Sequence, residues 1–261
     1  MYKISANTLF IGKKYIYLPS CHSTNDIAAS YISNNQVLGG EVFVTSNQIR
    51  GRGQRGNSWL SEPDKNITLS IILKPSFLQA KEQFKLNVAI SLGILDFLNN
   101  YIKNGLKVKW PNDIYCGEKK IGGILIENFL KKHSIENTIV GIGINVNQND
   151  FNGLPATSIS NEMEKSYQIH ILIEHLLECV ESSFLSLKNG VFAKLKQTYI
   201  SNLYGYQELH DFIDMKFSIG EKFKGEILGV DANGKLAIFN HKKQMVHYFD
   251  FKEVQFVNNL P

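Results

Sequence analysis

Residues 109–130 read KWPNDIYCGEKKIGGILIENFL and contain two strand-like runs, DIYC and KIGGILIENFL, joined by a short polar turn. The turn, Cys116 to Lys119, holds a glycine, as is typical of loops that connect antiparallel strands. Two further glycines, Gly122 and Gly123, lie in the middle of the second strand. Glycines inside a strand usually mark the close approach of another group to the backbone. The stretch therefore predicts a hairpin with one glycine-thinned strand.

The chain on either side of this hairpin mixes helical and strand patterns. Apolar residues recur at helical spacing in residues 80–103 and 171–187. The sequence Ser23-Thr24-Asn25-Asp26 offers an N-cap and a first-turn acid for a shorter helix. Because hairpins and helices follow one another irregularly, we expect an α+β fold rather than a regular βαβ repeat. The remaining predicted strands are EVFVTS at 41–46, ITLSIIL at 67–73, LKVKW at 106–110 and TIVGIGINVN at 138–147.

The last part of the chain has a different pattern, in which short apolar runs alternate with turns. The runs are KFSIG, FKGEILGVD, KLAIFN and QMVHYF, within residues 216–257. Asn233-Gly234 between two of them predicts a two-residue hairpin turn. This pattern indicates a small all-β barrel of about five strands. We expect a larger domain at residues 1–211 and the barrel at residues 212–261.

The composition is that of a folded globular protein, since 43% of the 261 residues are hydrophobic and 20% are charged. The net charge of +4 does not indicate a nucleic-acid binder by itself, but it suits acidic ligands. Cys21, Cys116 and Cys179 are far apart and form no Cys-x-x-Cys pair, so they indicate neither a zinc site nor a disulfide framework, and we expect a cytoplasmic location. No apolar run reaches the ~18 residues of a membrane span.

Residues 48–59, QIRGRGQRGNSW, concentrate glycine and arginine between two predicted strands. A disordered arginine–glycine tail would be longer and repetitive. A Walker phosphate loop needs lysine and then serine or threonine where this chain has Asn57 and Ser58. The dinucleotide fingerprint G-x-G-x-x-G is matched, but no helix pattern follows Trp59, so the helix N-terminus that would bind a pyrophosphate is lacking.

A lid is the interpretation that uses both residue types in this segment. Glycine lets the backbone approach a ligand closely, and arginine forms paired hydrogen bonds with carboxylate and phosphate groups. Trp59 can stack on a flat ring. We therefore predict a mobile loop that closes over a nucleotide-like anion.

Two predicted strands, each with glycines in its interior, together predict the floor of a pocket. Lys120 begins the strand that contains the paired glycines, and Gly141 and Gly143 lie within a second apolar strand and are followed by Asn145. The segment KWPND at 109–113 alone is compatible with an ordinary turn. It combines a cation, a rigid turn and an acid within five residues.

The motifs TSNQIRGRGQRGNSW, KWPNDIY, KKIGGILIE and GIGINVN, in this order, closely resemble those of the biotin protein ligases, and Ser23-Thr24-Asn25 matches an early element of that family. The resemblance covers residues 15–260. It implies a mixed-sheet catalytic domain of the biotin/lipoate ligase type followed by a small SH3-like β-barrel. Because the motifs begin near the first residue, we expect the short form without an N-terminal DNA-binding domain, and neither DNA nor a membrane as a partner.

The resemblance implies an ATP-dependent biotin–protein ligase that uses Mg²⁺. In such enzymes the biotin carboxylate attacks the α-phosphate of ATP, which gives biotinyl-5′-AMP and pyrophosphate. A lysine of a biotin carboxyl carrier protein then attacks the mixed anhydride, and AMP leaves. The sequence does not indicate an oligomeric state.

The resemblance also implies site residues. Lys120 and Arg52 are the catalytic candidates, at the biotin carboxylate and the α-phosphate. Asp113 is the candidate metal ligand. The implied biotin-binding residues are Ser23, Thr24, Asn25, Gln48, Arg52, Gly53, Gln54, Lys120, Gly122 and Gly123. The implied ATP- or adenylate-binding residues are Arg52, Arg55, Trp59, Lys109, Asn112, Asp113 and Asn145.

The lid departs from the family pattern at Gln54, where many members have a second arginine. The change removes one permanent cation, and we hypothesise that the adenylate escapes faster for that reason. Lipoate ligases, which share the fold and the adenylate chemistry, are the nearest alternative, although the lid and KWPND favour biotin. An RNA-binding protein that uses RGRGQRG and the barrel is a more distant one, and its affinity would depend steeply on salt.

Overall fold

The computed structural model describes residues 6–34 and 36–257, apart from the side chain of Arg55. The strands are β1 Tyr15–Cys21, β2 Val42–Gln48, β3 Gly51–Arg52, β4 Ser58–Trp59, β5 Asn66–Leu73, β6 Leu106–Lys109, β7 Asp113–Cys116, β8 Lys119–Lys131, β9 Ser134–Asn145, β10 Leu209–Asp214, β11 Glu221–Val230, β12 Leu236–Asn240, β13 Met245–Phe249 and β14 Val254–Phe256. The α-helices are α1 Thr24–Asn34, α2 Gln83–Asn99, α3 Ile159–Met163, α4 Ile169–Lys188 and α5 Phe192–Ser201.

A seven-stranded sheet in the order β1-β2-β5-β9-β8-β7-β6 forms the centre of the larger part of the chain. The β1–β2 pair is parallel, and the other pairs are antiparallel. The sheet is therefore mixed, and the α+β class predicted from the sequence is confirmed. The hairpin predicted at 113–131 is β7 and β8.

The two faces of the sheet are covered differently. Helices α2 and α4 pack against each other so closely that a Cβ at Gly93 would lie 2.9 Å from Val180 Cα. Val140, on β9, belongs to the main core, which includes residues of these helices, whereas Ile139 packs in a smaller cluster with Ala28 of α1. Because side chains alternate along a strand, Gly141 and Gly143 lie on the same face as Ile139. The glycine positions of β9 thus lie on the α1 face.

One predicted helix and one predicted strand differ clearly from the structure. The helix predicted at 80–103 begins with a 3-10 turn at Ala80–Glu82 and ends at Asn99. KFSIG is a turn rather than a strand, because Asp214 Oδ1 accepts hydrogen bonds from the backbone N–H groups of Lys216 (2.8 Å) and Phe217 (2.7 Å). The strand in this part of the sheet is β10, which the apolar pattern did not reveal.

The C-terminal strands form a second antiparallel sheet in the order β13-β12-β11-β10-β14. The closed barrel expected from the sequence is not found among the described residues. The short β14, Val254–Phe256, pairs with β10 alone and does not complete the ladder to β13. The turn predicted at Asn233-Gly234 is a longer loop, in which Asp231 Oδ1 accepts from the N–H groups of Asn233 and Lys235 at 2.8 Å each.

This loop joins the C-terminal sheet to the larger part of the chain. The indole Nε1–H of Trp110 donates to the carbonyl oxygen of Gly234 at 2.8 Å. Gly234 has φ +87° and lies so close to α2 that a Cβ atom there would be 2.4 Å from the Phe84 ring. Only glycine meets both requirements, the left-handed backbone and the close approach. The contact places the C-terminal sheet directly against the KWPND segment.

We expect Gly234→Ala to destabilise the protein more than a matched control, Gly220→Ala. Gly220 also has a left-handed backbone, φ +81°, but a Cβ there would meet nothing within 4 Å. The control should cost about 1 kcal/mol of unfolding free energy for backbone strain alone. Gly234→Ala should cost about 1–3 kcal/mol more because of overpacking against Phe84. Urea denaturation measures both values, and equal losses would show that the contact with α2 does not stabilise the fold.

Candidate active site

A cavity of about 370 Å³ lies over β8 and β9 on the face that carries α1. It is bordered by α1, the β3–β4 segment, the turn before β7 and the loop after β13. The structure brings most of the predicted site residues together in its lining: Ser23, Thr24, Asn25, Gln48, Arg52, Gly53, Gln54, Trp59, Lys109, Asn112, Asp113, Lys120 and Gly123.

The floor of the cavity is made of glycine backbone. In the β8–β9 register Gly123 lies opposite Gly143, and Gly141 lies opposite Leu125. A Cβ atom at Gly143 would lie 2.4 Å from the Trp59 ring, and one at Gly141 would lie 2.3 Å from Asn25 Oδ1. These distances are shorter than any van der Waals contact, so neither position tolerates a larger residue without movement. The prediction that two glycine-thinned strands form one floor is confirmed.

One end of the cavity is polar and is organised by the start of α1. Gln48 Oε1 accepts from the backbone N–H of Thr24 at 2.9 Å and from its hydroxyl at 3.3 Å. The Ser70 hydroxyl donates to Asn25 Oδ1 at 2.6 Å and lies 2.7 Å from Thr24 Oγ1. The sequence analysis missed Ser70. Its signal is a serine two residues after Thr68 in an otherwise apolar strand, which places both on one face.

A lysine and a carboxylate meet in the middle of the cavity. Lys120 Nζ lies 2.7 Å from Asp113 Oδ1 and 5.6 Å from the centre of the Trp59 ring. Asp113 pairs with Gly123 across the β7–β8 ladder, so both charged groups lie beside the glycine floor. Trp59 Nε1 is buried without a hydrogen-bond partner among the described residues. This arrangement gives an ion pair and an indole donor at one point of the cavity.

Lys109, the partner of Asp113 across the β6–β7 ladder, lines the cavity among aromatic rings. Its ammonium nitrogen is 4.4 Å from the ring centre of Tyr115 and 5.1 Å from those of Tyr204 and Phe256. Burial lowers the pKa of Lys109 to about 8, and the nearby Asp113 opposes this shift. The three rings favour the cationic form. The side chain therefore places a positive charge in the cavity lining while it contacts β14 of the C-terminal sheet.

The lid segment is a two-residue ladder between β3 and β4, not a disordered loop. Arg52 forms ion pairs with Asp26 of α1 and Glu127 of β8, both at 2.8 Å. Asn25 Nδ2 also donates to Glu127 at 2.7 Å. The two carboxylates hold Arg52 at the rim of the cavity. The sequence analysis missed both as partners of Arg52, although Glu127 ends the KKIGGILIE motif.

Four predicted residues differ from the rest in their placement. Gly122 is outside the lining, and a Cβ there would point towards Ile144 and the carbonyl of Gly143. Asn112 lines the cavity, but its amide donates to the carbonyl of Ile124 at 2.5 Å. Asn145 lies in a neighbouring cavity of about 610 Å³. The side chain of Arg55 lies outside the described part of the chain.

The neighbouring cavity shares part of its lining with the first one, including Trp59, Tyr115 and Lys120. Its other walls include Leu60 from the lid and Leu154 from the loop after β9. Asn145 Nδ2 donates to the carbonyl of Thr157 at 2.9 Å, which fixes that loop against the strand. The ion pair of Lys120 and Asp113 thus lies where two cavities join.

Comparison with known proteins places this geometry in a family. The model of the biotin/lipoate A/B protein ligase family matches residues 17–145, which run from within β1 to the end of β9. The bifunctional ligase/repressor BirA of Bacillus subtilis is 30% identical to this chain over 243 residues, which are 90% of the chain and 72% of that protein. The chain belongs to the biotin/lipoate A/B protein ligase family.

Within the family, the fold also agrees with a solved biotin protein ligase. The enzyme from Aquifex aeolicus, in complex with biotin and ATP, superposes with a TM-score of 0.76 at 25% identity, and the match covers 94% of this chain and 98% of that one. Biotin–protein ligase 1 of Arabidopsis thaliana is 32% identical over 156 residues, which are 57% of this chain and 40% of that protein. The match to the Aquifex enzyme extends over both sheets.

The described residues contain neither a helix that could span a membrane nor a cluster of metal-ligating side chains. None of the helices in residues 6–34 and 36–257 has the length and apolar character needed to cross a membrane. Over the same residues, no three His, Cys, Asp or Glu side chains come together as a metal site.

We expect the two carboxylates to hold the lid closed, and trypsin can report this because Arg50 and Arg52 lie in the lid. Glu127→Gln combined with Asp26→Asn should increase cleavage in the lid about two- to fivefold, the effect of losing partly exposed ion pairs. Added salt should speed cleavage of the wild type but not of the variant. Glu118→Gln, an exposed acid in the β7–β8 turn, is the matched control. Cleavage at the wild-type rate in the double variant would show that the carboxylates do not restrain the lid.

Proposed function

We propose that this protein activates biotin with ATP as biotinyl-5′-AMP and transfers the biotinyl group to a lysine of a biotin carboxyl carrier protein. The observation that carries the proposal is the position of Lys120. Its ammonium group, paired with Asp113 at 2.7 Å, lies above the glycine floor where the two cavities join. Similarity to BirA of Bacillus subtilis and to a ligase solved with biotin and ATP supports the same activity.

The charge of the cavity suits the first step. Arg52, Lys109 and Lys120 line it against one carboxylate, Asp113. Two anionic groups, the biotin carboxylate and the α-phosphate, have to approach each other, and a positive environment with little water lowers the cost of this approach. The carboxylate oxygen then forms a bond to phosphorus, and pyrophosphate leaves with the electron pair. Lys120 stabilises the charge that develops at the junction.

The polar end of the cavity fits the biotin ring. Ser23, Thr24 and Gln48 place hydroxyl and amide groups around one volume, and the network through Ser70 fixes their directions. Gly123 adjoins this volume, and its bare backbone makes room for the Trp59 ring and the Lys120–Asp113 pair, which would lie 3.3–3.4 Å from a Cβ atom there. Such a site, with mostly fixed walls and a few aimed polar groups, is typical of small-molecule binding. Among the other predicted biotin contacts, Asn25 acts through this network, and Gly53 and Gln54 contribute from the lid.

The second cavity fits the adenosine part of the adenylate. Trp59 offers a ring for stacking and an indole N–H without a partner in the described structure. Leu60 and Leu154 supply apolar walls, and Asn145 supports the site by holding the loop after β9 through its bond to the carbonyl of Thr157. The adenine would then lie on the far side of Lys120 from the biotin ring, with the phosphate between them. Asn112 would support this site by holding the KWPND segment against β8.

The donor set around Lys120 fits a Mg²⁺ ion that arrives with ATP. Asp113 is the one acidic side chain in the described lining. Mg²⁺ commonly keeps several waters and binds through one carboxylate and substrate phosphates, so Asp113 suffices as a protein ligand. When bound, the ion would neutralise charge on the phosphates. We also propose a cytoplasmic location, in keeping with the three free cysteines.

We expect Lys120→Ala to lower biotin-dependent ATP–pyrophosphate exchange about 10²- to 10³-fold, the usual effect of removing one group that stabilises a transition state electrostatically. Lys119→Ala removes the exposed neighbouring lysine and should keep exchange near the wild-type rate. Omitting biotin should abolish exchange in every protein. A wild type that shows no biotin-dependent exchange would contradict the proposed function, and an active Lys120→Ala variant would contradict the role of Lys120.

We expect Gln54→Arg to retain the adenylate longer than the wild type. An added guanidinium in the lid can form a charge-assisted hydrogen bond with the phosphate, so release of biotinyl-5′-AMP should slow about tenfold. The measurement is a chase of radiolabelled biotinyl-5′-AMP with excess unlabelled compound. Gln54→Met, which is similar in size but uncharged, is the control. Equal release rates for the wild type and Gln54→Arg would contradict the hypothesis that Gln54 weakens retention.

A further inference from the structure

The side-chain amide of Asn25 lies in a socket built by three strands. Its Oδ1 accepts a hydrogen bond from the Ser70 hydroxyl of β5 at 2.6 Å, and its Nδ2 donates to Glu127 of β8 at 2.7 Å. On β9, a Cβ atom at Gly141 would lie 2.3 Å from Asn25 Oδ1, so this strand makes room for the amide. Asn25 and Ser70 are both buried. The socket therefore fixes the direction of the amide.

The partners decide which atom supplies each hydrogen in this socket. An ionised carboxylate only accepts, so the amide nitrogen of Asn25 faces Glu127 and its oxygen faces Ser70. The one hydrogen of the Ser70 hydroxyl is then used on Asn25 Oδ1. Thr24 Oγ1 lies 2.7 Å from Ser70 Oγ, so the Thr24 hydroxyl supplies the hydrogen between these two oxygens. Its contact with Gln48 Oε1, at 3.3 Å, is the weaker of the two.

The resulting hydrogen bonds run in one direction, from the polar end of the cavity to the lid. Thr24 donates to Ser70, and Ser70 donates to Asn25. The amide nitrogen of Asn25 donates to Glu127, whose carboxylate also accepts from the lid cation Arg52 at 2.8 Å. Hydrogen bonds in such a chain polarise and strengthen one another. A new partner for the Thr24 hydroxyl therefore affects the carboxylate that holds the lid.

Two members of this chain lie outside the ligand site. Neither Ser70 nor Glu127 belongs to the described lining of the first cavity. Glu127 instead lines a groove that runs along the lid, together with Asp26 and Arg52. Any effect of Ser70 or Glu127 on a ligand in the cavity therefore passes through the side chains between them.

We propose that Ser70 and Glu127 are positioning residues that couple the biotin ring to the lid through Asn25. The inference rests on the proposed function, in which the ring binds beside Thr24. A ring N–H that donates to Thr24 Oγ1 adds one donor at the start of the chain and strengthens the bonds that follow. The carboxylate of Glu127 then has a fixed direction, so holding Arg52 costs less conformational entropy. The ring thus favours the closed lid without any negative charge of its own.

The probe is biotinol, in which a hydroxymethyl group replaces the carboxylate, because it keeps the ring but has no anion to attract Arg52. Trypsin cleavage of the lid is measured on the full chain with and without saturating biotinol. We expect biotinol to slow cleavage of the wild type about fivefold, at the low end of couplings between two sites. Ser70→Ala should lose most of this protection. Saturation compensates for weaker binding, so the loss reports the coupling and not the affinity.

Coupling between two sites is reciprocal, so a variant that disconnects the lid also weakens binding of the ring. Glu127→Gln should therefore weaken biotinol binding about fivefold in isothermal titration, although Glu127 lies outside the cavity lining. Two variants are matched controls and should keep both wild-type values. Ser91→Ala removes a buried hydroxyl that contacts Asn87 on α2. Glu136→Gln removes a carboxylate that is paired with Lys131 in the β8–β9 hairpin.

The outcomes separate this inference from the proposed function. Full protection by biotinol in Ser70→Ala, or unchanged biotinol affinity in Glu127→Gln, overturns the coupling, and so does a wild-type lid that millimolar biotinol leaves unprotected. In each case, normal biotin-dependent ATP–pyrophosphate exchange leaves the proposed function standing. A wild type that neither binds biotinol nor catalyses this exchange overturns both. Glu127 is partly exposed, so Glu127→Gln tests the coupling even if Ser70→Ala does not fold.

Discussion

The active site depends on the absence of side chains along two neighbouring strands. Gly123 on β8 lies opposite Gly143 on β9, so one patch of the sheet is bare backbone. This patch allows Trp59 to lie directly on the sheet and allows the Lys120–Asp113 pair to form beside it. Any Cβ at Gly143 would meet the indole. Glycine weakens a strand, and the long antiparallel pairing of β8 with β9 and of β9 with β5 offsets this weakness.

Three cations lie around this patch, and each is held by a different kind of partner. Arg52 is engaged with two carboxylates at the rim, whereas Lys120 has one carboxylate partner, Asp113, inside. Lys109 is surrounded by aromatic rings, which hold a cation without supplying a negative charge. An incoming anion therefore meets the positive charge of Lys120 in the cavity, and it shares Arg52 with Asp26 and Glu127 at the rim. This ordering explains how a lid residue can be fixed at the rim and still belong to the site.

The sequence predicted the parts of the fold and of the site that depend on local pattern. The glycines of β8 and β9, the start of α1 and the order of the motifs are all local, and the structure brings most of the motif residues to one cavity. Arg52 was predicted as a lid cation, but its partners Asp26 and Glu127 were not, because their contact joins three elements that are distant in the chain. KFSIG has the composition of a strand, yet the carboxylate of Asp214 binds the backbone N–H groups that a strand would need. The prediction of a closed barrel was wrong for a related reason. Closure requires the first and last strands to pair with each other, and the apolar pattern of each strand alone does not determine this pairing.

The KWPND segment connects the C-terminal sheet to the active site. Its tryptophan is bonded to the loop before β12, its lysine contacts a ring on β14, and its aspartate pairs with the lysine above the glycine floor. Three side chains within five residues thus connect the second sheet to the reacting centre. A shift of the C-terminal sheet would move Trp110 and Lys109 together, and the backbone between them and Asp113 is too short to absorb a large displacement. The position of the acid beside Lys120 is therefore set from both sides, by the β7–β8 ladder and by the docking of the C-terminal sheet.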